Sequence, residues 1–175
     1  MPQTTVDWLA QCVGIVALIL ACLSFQVKTS KGILRLQVIA NCLWITHYLL
    51  IEDGNTGAIL NLFAAVRNVT YFYLNKKEKG NRMYYSIGFA ILCIALSLMT
   101  YESWVSLLPM VGSTLQTFAM SCRKANNLRW MTLSGMPFWL SYNILVHSTA
   151  GAITETISII SILIGLIRYR KVKEE

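Results

Sequence analysis

Seven apolar runs follow one another along the chain with short polar turns between them. They cover about Leu9 to Phe25, Ile33 to Ile51, Thr56 to Leu74, Met83 to Met99, Trp104 to Met120, Leu128 to Val146 and Ala150 to Ile167. At a rise of about 1.5 Å per residue each run makes a helix of roughly 25 to 28 Å, enough to cross a hydrocarbon core at modest tilt. The expected fold is all-α, a polytopic membrane protein with seven transmembrane helices. Composition agrees: 13% of the residues are charged and the mean hydropathy is +0.54, against about 25% charged residues in soluble domains. A soluble domain would need long polar loops and amphipathic helices, and the gaps here are too short for either.

The position of the charges sets an orientation. Fifteen Lys and Arg against eight Asp and Glu give a net charge of +7. The basic residues sit in the turns after the odd-numbered runs and in the tail: Lys28 and Lys31, then Lys76, Lys77, Lys79 and Arg82, then Arg123 and Lys124, then Arg168, Arg170, Lys171 and Lys173. Arg35 and Arg129 flank two of these turns. The opposite side holds Asp7, Glu52, Asp53, Glu102 and His147 with no Lys or Arg. Short basic loops stay in the cytoplasm, so the N-terminus is expected outside and the C-terminus inside. This distribution is that of retained loops and not of a groove following phosphates, so nucleic acid is not an expected partner. No Lys or Arg precedes Lys28, so the first helix is expected to remain in the mature protein.

The segment from Ser24 to Asn61 has a fainter copy from Phe118 to Glu155. A shift of 94 residues lays Leu34-Arg35 on Leu128-Arg129, Tyr48 on Tyr142, and Gly57-Ala58-Ile59 on Gly151-Ala152-Ile153. A three-helix unit ends on the side opposite its start, so a second copy in the same orientation needs one extra crossing. The run at residues 83–99, whose interior polar groups are Ser86 and Ser97, supplies it. The expected architecture is one membrane domain of two parallel three-helix repeats, about 9–75 and 104–168, joined by a linker helix at 83–99. Pro109 lies in the first third of the fifth run, where a proline can kink a helix.

Polar groups inside the runs are the candidate functional residues. Gln37, Asn41, Trp44 and Tyr48 recur at steps of four, three and four, one helical face that lipid forces inward. The sixth run offers Thr132, Gly135, Trp139 and Tyr142. Such a face serves either as a solute pocket or as interhelical glue with aromatic anchors. Both Trp residues lie some 8 to 11 residues from the inner ends of their runs, inside the membrane. On the third and seventh runs, Asn61 and Glu155 occupy equivalent positions, while Thr154, Ser158, Ser161 and Gly165 read as packing residues. A carboxyl at mid-membrane costs on the order of 2.5–3.5 kcal/mol on insertion scales. Three uses for Glu155 stay open: pairing with Arg67, carrying a proton, or binding a ligand. Arg67 either reaches Glu155 or snorkels inward. His47 and His147 are expected near the outer boundary. The five cysteines are scattered without metal-ligand spacing, and the sequence has no nucleophile triad, HExxH, Walker loop or CxxC. No enzyme activity, metal or cofactor is expected.

Phe25-Gln26 at the end of the first run, the Lys-rich turn, Trp44 with Tyr48, and Asn61 together resemble the PQ-loop and SWEET superfamily over nearly the whole chain. Within it the sequence is similar to the YgjV-type inner-membrane proteins of bacteria. The resemblance implies two three-helix repeats that rock about a central pocket, lined by a Trp from the second helix and an Asn from the third helix of each repeat. Carried over, these are Trp44 with Asn61, and Trp139 with Glu155. Phe25 stands where the superfamily has its helix-kinking Pro, Phe118-Ala119 stands in place of Pro-Gln, and Glu155 replaces an Asn. The expected function is a small-solute carrier of the bacterial inner membrane, for a sugar or another small polar or cationic metabolite. Asn41, Trp44, Tyr48, Asn61, Trp139, Tyr142 and Glu155 form its binding set. The alternative is a non-transporting inner-membrane protein that acts as a structural or regulatory partner of another complex.

Overall fold

The computed structural model describes residues 5–50, 55–76, 82–99, 101, 103–145 and 149–170, and every regular element among them is helical. In chain order these are α1 (Thr5–Ser24), α2 (Ser30–Leu49), α3 (Asn55–Lys76), α4 (Arg82–Met99), a 3-10 turn (Trp104–Ser106), α5 (Leu107–Met120), α6 (Ala125–Leu145) and α7 (Thr149–Arg168). The expected charges at Glu52, Asp53, Lys77, Lys79, Glu102, His147, Lys171 and Lys173 lie outside the described residues.

Several helices begin before their apolar runs, because polar residues also close helix ends. Thr29 caps α2: its extended backbone precedes the helix, and its hydroxyl accepts the Gly32 N–H at 3.1 Å, satisfying one of the free donors of the first turn. Pro109 stands early in the fifth run and leaves α5 without an interior proline. The run splits into the 3-10 turn and a 14-residue α5, which puts Pro109 in the first turn, where its missing N–H leaves no bond unmade. Pro137 is the interior proline, inside α6.

The helices form a closed circuit. α2 packs between α1 and α3, α6 packs between α5 and α7, α1 meets α7, and α3 meets α5. α2 and α6 touch across the middle, while α4 lies outside against α5 and α3. Glycines set the closest approaches. Gly112 of α5 and Gly135 of α6 face each other, and a Cβ on Gly135 would lie 3.0 Å from the Gly112 carbonyl oxygen. Without a hydrophobic force between helices in lipid, such backbone proximity supplies the dispersion contact that holds them together.

The packed core is displaced to one end. Phe25, Ile33, Leu34, Tyr71, Met120, Ala125, Leu128, Met136, Ile162 and Leu166 form it. Nearly all come from the ends of helices that border the basic turns. Leu34 and Leu128, which the 94-residue shift superimposes, are both fully buried. Outside, the bundle is apolar: Ile15, Val16 and Ile19 on α1, Leu62 and Val66 on α3, Ile91 and Leu92 on α4, and Ile160 and Leu163 on α7 are exposed. Inside are Asn68, Thr117, Arg129 and Thr132. That inversion of the soluble pattern places the surface against hydrocarbon and not water. Among the described residues α4 is the helix long and apolar enough by itself to cross a membrane, with mean hydropathy 1.6 over its 18 residues. The apolar stretch of α1 is shorter, at Trp8–Ser24, and α5 has 14 residues, while α2, α3 and α6 bury polar residues such as Asn41, Asn68 and Thr132 that lower their averages.

Candidate functional site

On α2 the predicted face is partly a ring stack. Trp44 meets His47 edge-on at 5.2 Å between centroids and Tyr48 at 5.9 Å. His47, in the last turn of α2, is buried against α1, where its Nδ1–H donates to the Ala10 carbonyl at 2.7 Å. Gly14 makes room for that ring, since a Cβ there would stand 2.8 Å from Nδ1. Asn41, one turn below Trp44, is buried, and its Nδ2 has no hydrogen-bond partner. Gln37 turns to α1 and donates to Ser24 Oγ at 2.8 Å, which makes it an interhelical tie.

On α6 the equivalent aromatic is Trp139, whose indole lies over Gly112 of α5 and meets Tyr142 edge-on at 6.2 Å. Its Nε1–H is buried without an acceptor. Trp44 and Trp139 each stand fourteen residues after the first residue of their helix, about 21 Å along it. They therefore lie nearer the far end than the apolar runs placed them, and at the same distance along their own helices.

Asn61 on α3 and Glu155 on α7 are both half-buried. Glu155 lies within electrostatic range of the Cys22 thiol on α1, one turn above Ser158, whose hydroxyl is 3.9 Å from that sulfur. Below them the seam between α1 and α7 is closed. Gln26 Nε2 donates to the Ser161 carbonyl at 2.6 Å and to its hydroxyl at 3.0 Å, Ser161 Oγ donates to the Cys22 carbonyl at 2.6 Å, and Tyr169 Oη donates to the Gln26 carbonyl at 2.8 Å. Ser158, Ser161 and Gly165 are packing residues, as their size implied.

Two arginines are buried against partners that the sequence did not show. Arg67 neither snorkels nor reaches Glu155. It is buried and donates to Thr117 Oγ1 on α5 at 3.0 Å. Arg129 flanks its turn as expected, one turn inside α6, and is fully buried there. It donates to the Phe25 carbonyl at 2.9 Å, to the Val27 carbonyl and to Asn126, with its guanidinium 4.9 Å from the centre of the Tyr169 ring. Its counterpart Arg35 is exposed beside Phe72. The signal available in the sequence was Gly165, the small residue that gives Arg129 and the Phe25 carbonyl room to meet.

The seven predicted residues thus fall into two groups, Asn41, Trp44, Tyr48 and Asn61 on the adjacent α2 and α3, and Trp139, Tyr142 and Glu155 on the adjacent α6 and α7. All stand on the same side of the packed core, and all but Asn41 are partly exposed. A groove of about 380 Å³ lies elsewhere, on the face of α4, lined by Tyr84, Tyr85, Gly88, Phe89 and Leu92.

A helical bundle with an apolar exterior and its polar side chains turned inward defines an integral membrane protein. The chain belongs to a family of bacterial inner membrane proteins, Imp-YgjV, which matches residues 8–173. It is similar to the inner membrane protein YgjV of Escherichia coli K12, with 21% identity over 170 residues, covering 97% of this chain and 89% of that protein. No solved structure matches the chain.

Proposed function

We propose that the protein is a carrier of small polar solutes in the bacterial inner membrane, built on the PQ-loop and SWEET plan. In this reading α1–α3 and α5–α7 are parallel repeats spanning the membrane, α4 links them, the N-terminus is outside and the C-terminus is in the cytoplasm. The circuit of helices fits a two-fold relation, because α1 against α7 in one seam answers α5 against α3 in the other. The equal positions of Trp44 and Trp139 along α2 and α6 fit it too.

The observation that carries the proposal is the uneven packing along the bundle. At the end bordered by basic turns the halves are bonded together through Gln26 and Ser161, Arg129 and Phe25, and Ser30 Oγ with the Cys122 carbonyl at 2.7 Å. Beyond that closure stand the candidate residues, part-exposed except for Asn41, with two donors, Asn41 Nδ2 and Trp139 Nε1, that lack acceptors. A buried donor without a partner costs about 1–3 kcal/mol, a cost that an acceptor on a bound solute offsets. Aromatic faces add stacking for a flat or CH-rich solute. This arrangement corresponds to a carrier closed toward the cytoplasm and open outward, which transports by moving the closure to the other end.

Flux of sugars, amino acids and nucleosides into liposomes holding the purified protein tests the reading. Transport that falls in Trp139→Ala and Asn61→Ala is the expected result. No flux of any of these solutes, or flux indifferent to both substitutions, ends it, and co-purification of a stoichiometric membrane partner would then favour the partner role.

A further inference from the structure

Arg67 is the buried charge that the carrier reading leaves without a task. It is 5% exposed, in the middle of α3, and its hydrogen-bond partners are neutral. Nη1 donates to Thr117 Oγ1 at 3.0 Å and Nε donates to Asn68 Oδ1 at 3.4 Å, and the guanidinium lies 5.9 Å from the centre of the Phe63 ring. Thr117 already donates its own proton to the Ser113 carbonyl at 2.9 Å, so it offers Arg67 a lone pair and nothing more. Among the described residues, the ionisable groups that bear on the guanidinium charge are Tyr71 and Cys93, and neither is a carboxylate.

A guanidinium brings five N–H groups in a planar fork. Hydroxyl and amide oxygens satisfy part of the fork but none of its charge. Keeping a charge out of water costs several kcal/mol unless an opposite charge answers it. A strut between α3 and α5 could be built from neutral groups without that cost. The fork matches the two oxygens of a carboxylate or phosphate, which bind it bidentately and supply the missing charge.

We propose that Arg67 is the binding centre for the oxyanion group of a small solute, carboxylate or phosphate, which displaces the Thr117 oxygen from Nη1. The inference rests on the carrier reading for the route, since Arg67 belongs to α3 and Thr117 to α5. These helices lie in different halves, so parting the halves uncovers the guanidinium. It changes the expected solute class, from neutral or cationic to one bearing an anionic group. Asn41 and Trp139, as donors, suit the acceptor-rich remainder of such a solute.

Thermal unfolding of the purified full chain in detergent micelles is the test, with sodium acetate, malonate and inorganic phosphate as probes and sodium chloride at matched ionic strength as control. Saturable stabilisation of the wild type by at least one oxyanion beyond chloride is expected, rising with concentration as ligand linkage requires. Carboxylate and phosphate arms separate the two sources of the group. Arg67→Gln should abolish the shift, and Arg67→Lys, which keeps the charge without the fork, should raise the half-saturating concentration about tenfold, the equivalent of about 1.4 kcal/mol. Thr117→Val removes the competing acceptor and should lower that concentration several-fold, a change that a purely structural arginine would not produce. The proposal is overturned if no oxyanion stabilises the wild type beyond chloride, or if the shift is the same in Arg67→Gln. Should Arg67→Gln fail to fold, an unchanged half-saturation in Thr117→Val overturns it. Flux separates the two ideas: transport without an Arg67-dependent oxyanion effect removes this inference alone, and oxyanion binding without any transport removes the carrier alone.

Discussion

Arg129 Nε donates to the backbone carbonyl of Phe25 at 2.9 Å across 104 residues of sequence, and Gly165 lies directly beneath the same oxygen. One carbonyl at the end of α1 is thereby the meeting point of α6 and α7. The carbonyl is available because α1 stops at Ser24, leaving Phe25 past the last helical turn with an acceptor that no intrahelical donor uses.

Removing that cation should loosen the whole closed end. Arg129→Gln loses charge-assisted bonds to two carbonyls, each worth roughly 1.5–3 kcal/mol, and equilibrium unfolding in mixed micelles should show a loss of about 2–4 kcal/mol after relaxation. A loss below about 0.5 kcal/mol would mean that the bonds contribute nothing net.

The glycine beneath the carbonyl makes a sharper comparison. A Cβ on Gly165 would collide with the Phe25 oxygen and crowd Arg129, so Gly165→Ala should destabilise by about 2 kcal/mol through separation of α7 from α1. Gly88 on α4 has nothing within 4 Å of its would-be Cβ, and Gly88→Ala should be neutral or stabilising by up to about 1 kcal/mol from helix propensity. Equal effects at the two positions would show that propensity and not packing decides both.

The two unpaired donors should trade stability against function. Asn41→Leu and Trp139→Phe each remove a buried N–H that lacks an acceptor, which should leave the folded state equally stable or more so by about 1 kcal/mol. In the flux assay the same variants should transport at least several-fold less. Variants that lose both stability and flux would assign these residues to packing.

Cys122, in the turn after α5, reports on orientation and pH together. Burial pushes its thiol above the ordinary cysteine value, with Arg82 opposing in part. With the folded value raised, its contribution to stability is complete below about pH 8.5, the unfolded value, and is lost as pH rises through the folded value. With the other cysteines changed to Ser, alkylation should be slow at pH 7 and should accelerate with pH beyond the ordinary thiol range. A membrane-impermeant maleimide should label Cys122 in permeabilised cells and not in intact ones. Labelling of intact cells would reverse the proposed orientation.

Much of the fold was legible because lipid is a severe selector. Any run long and apolar enough to cross must be a helix, and Leu34 and Leu128 matched in sequence before they matched in burial. Small residues at Ser158, Ser161 and Gly165 marked a helix seam by size alone. The helix ends were less legible, since Thr29 and Pro109 act through backbone donors that hydropathy does not register.

The sequence by itself determined the all-helical class, the apolar exterior and the residue types available to a site, because these follow from the solvent around each segment. Tertiary structure alone decided where the polar groups point. Arg129 flanks a turn in the sequence, and its side chain runs inward because Phe25 and Val27 leave carbonyls free at the end of α1. Arg67 had pairing with Glu155 and snorkelling both open to it, and α5 brings Thr117 to it instead. A charge in a helix is visible in the sequence, whereas its partner comes from another helix and is chosen by which helices are neighbours.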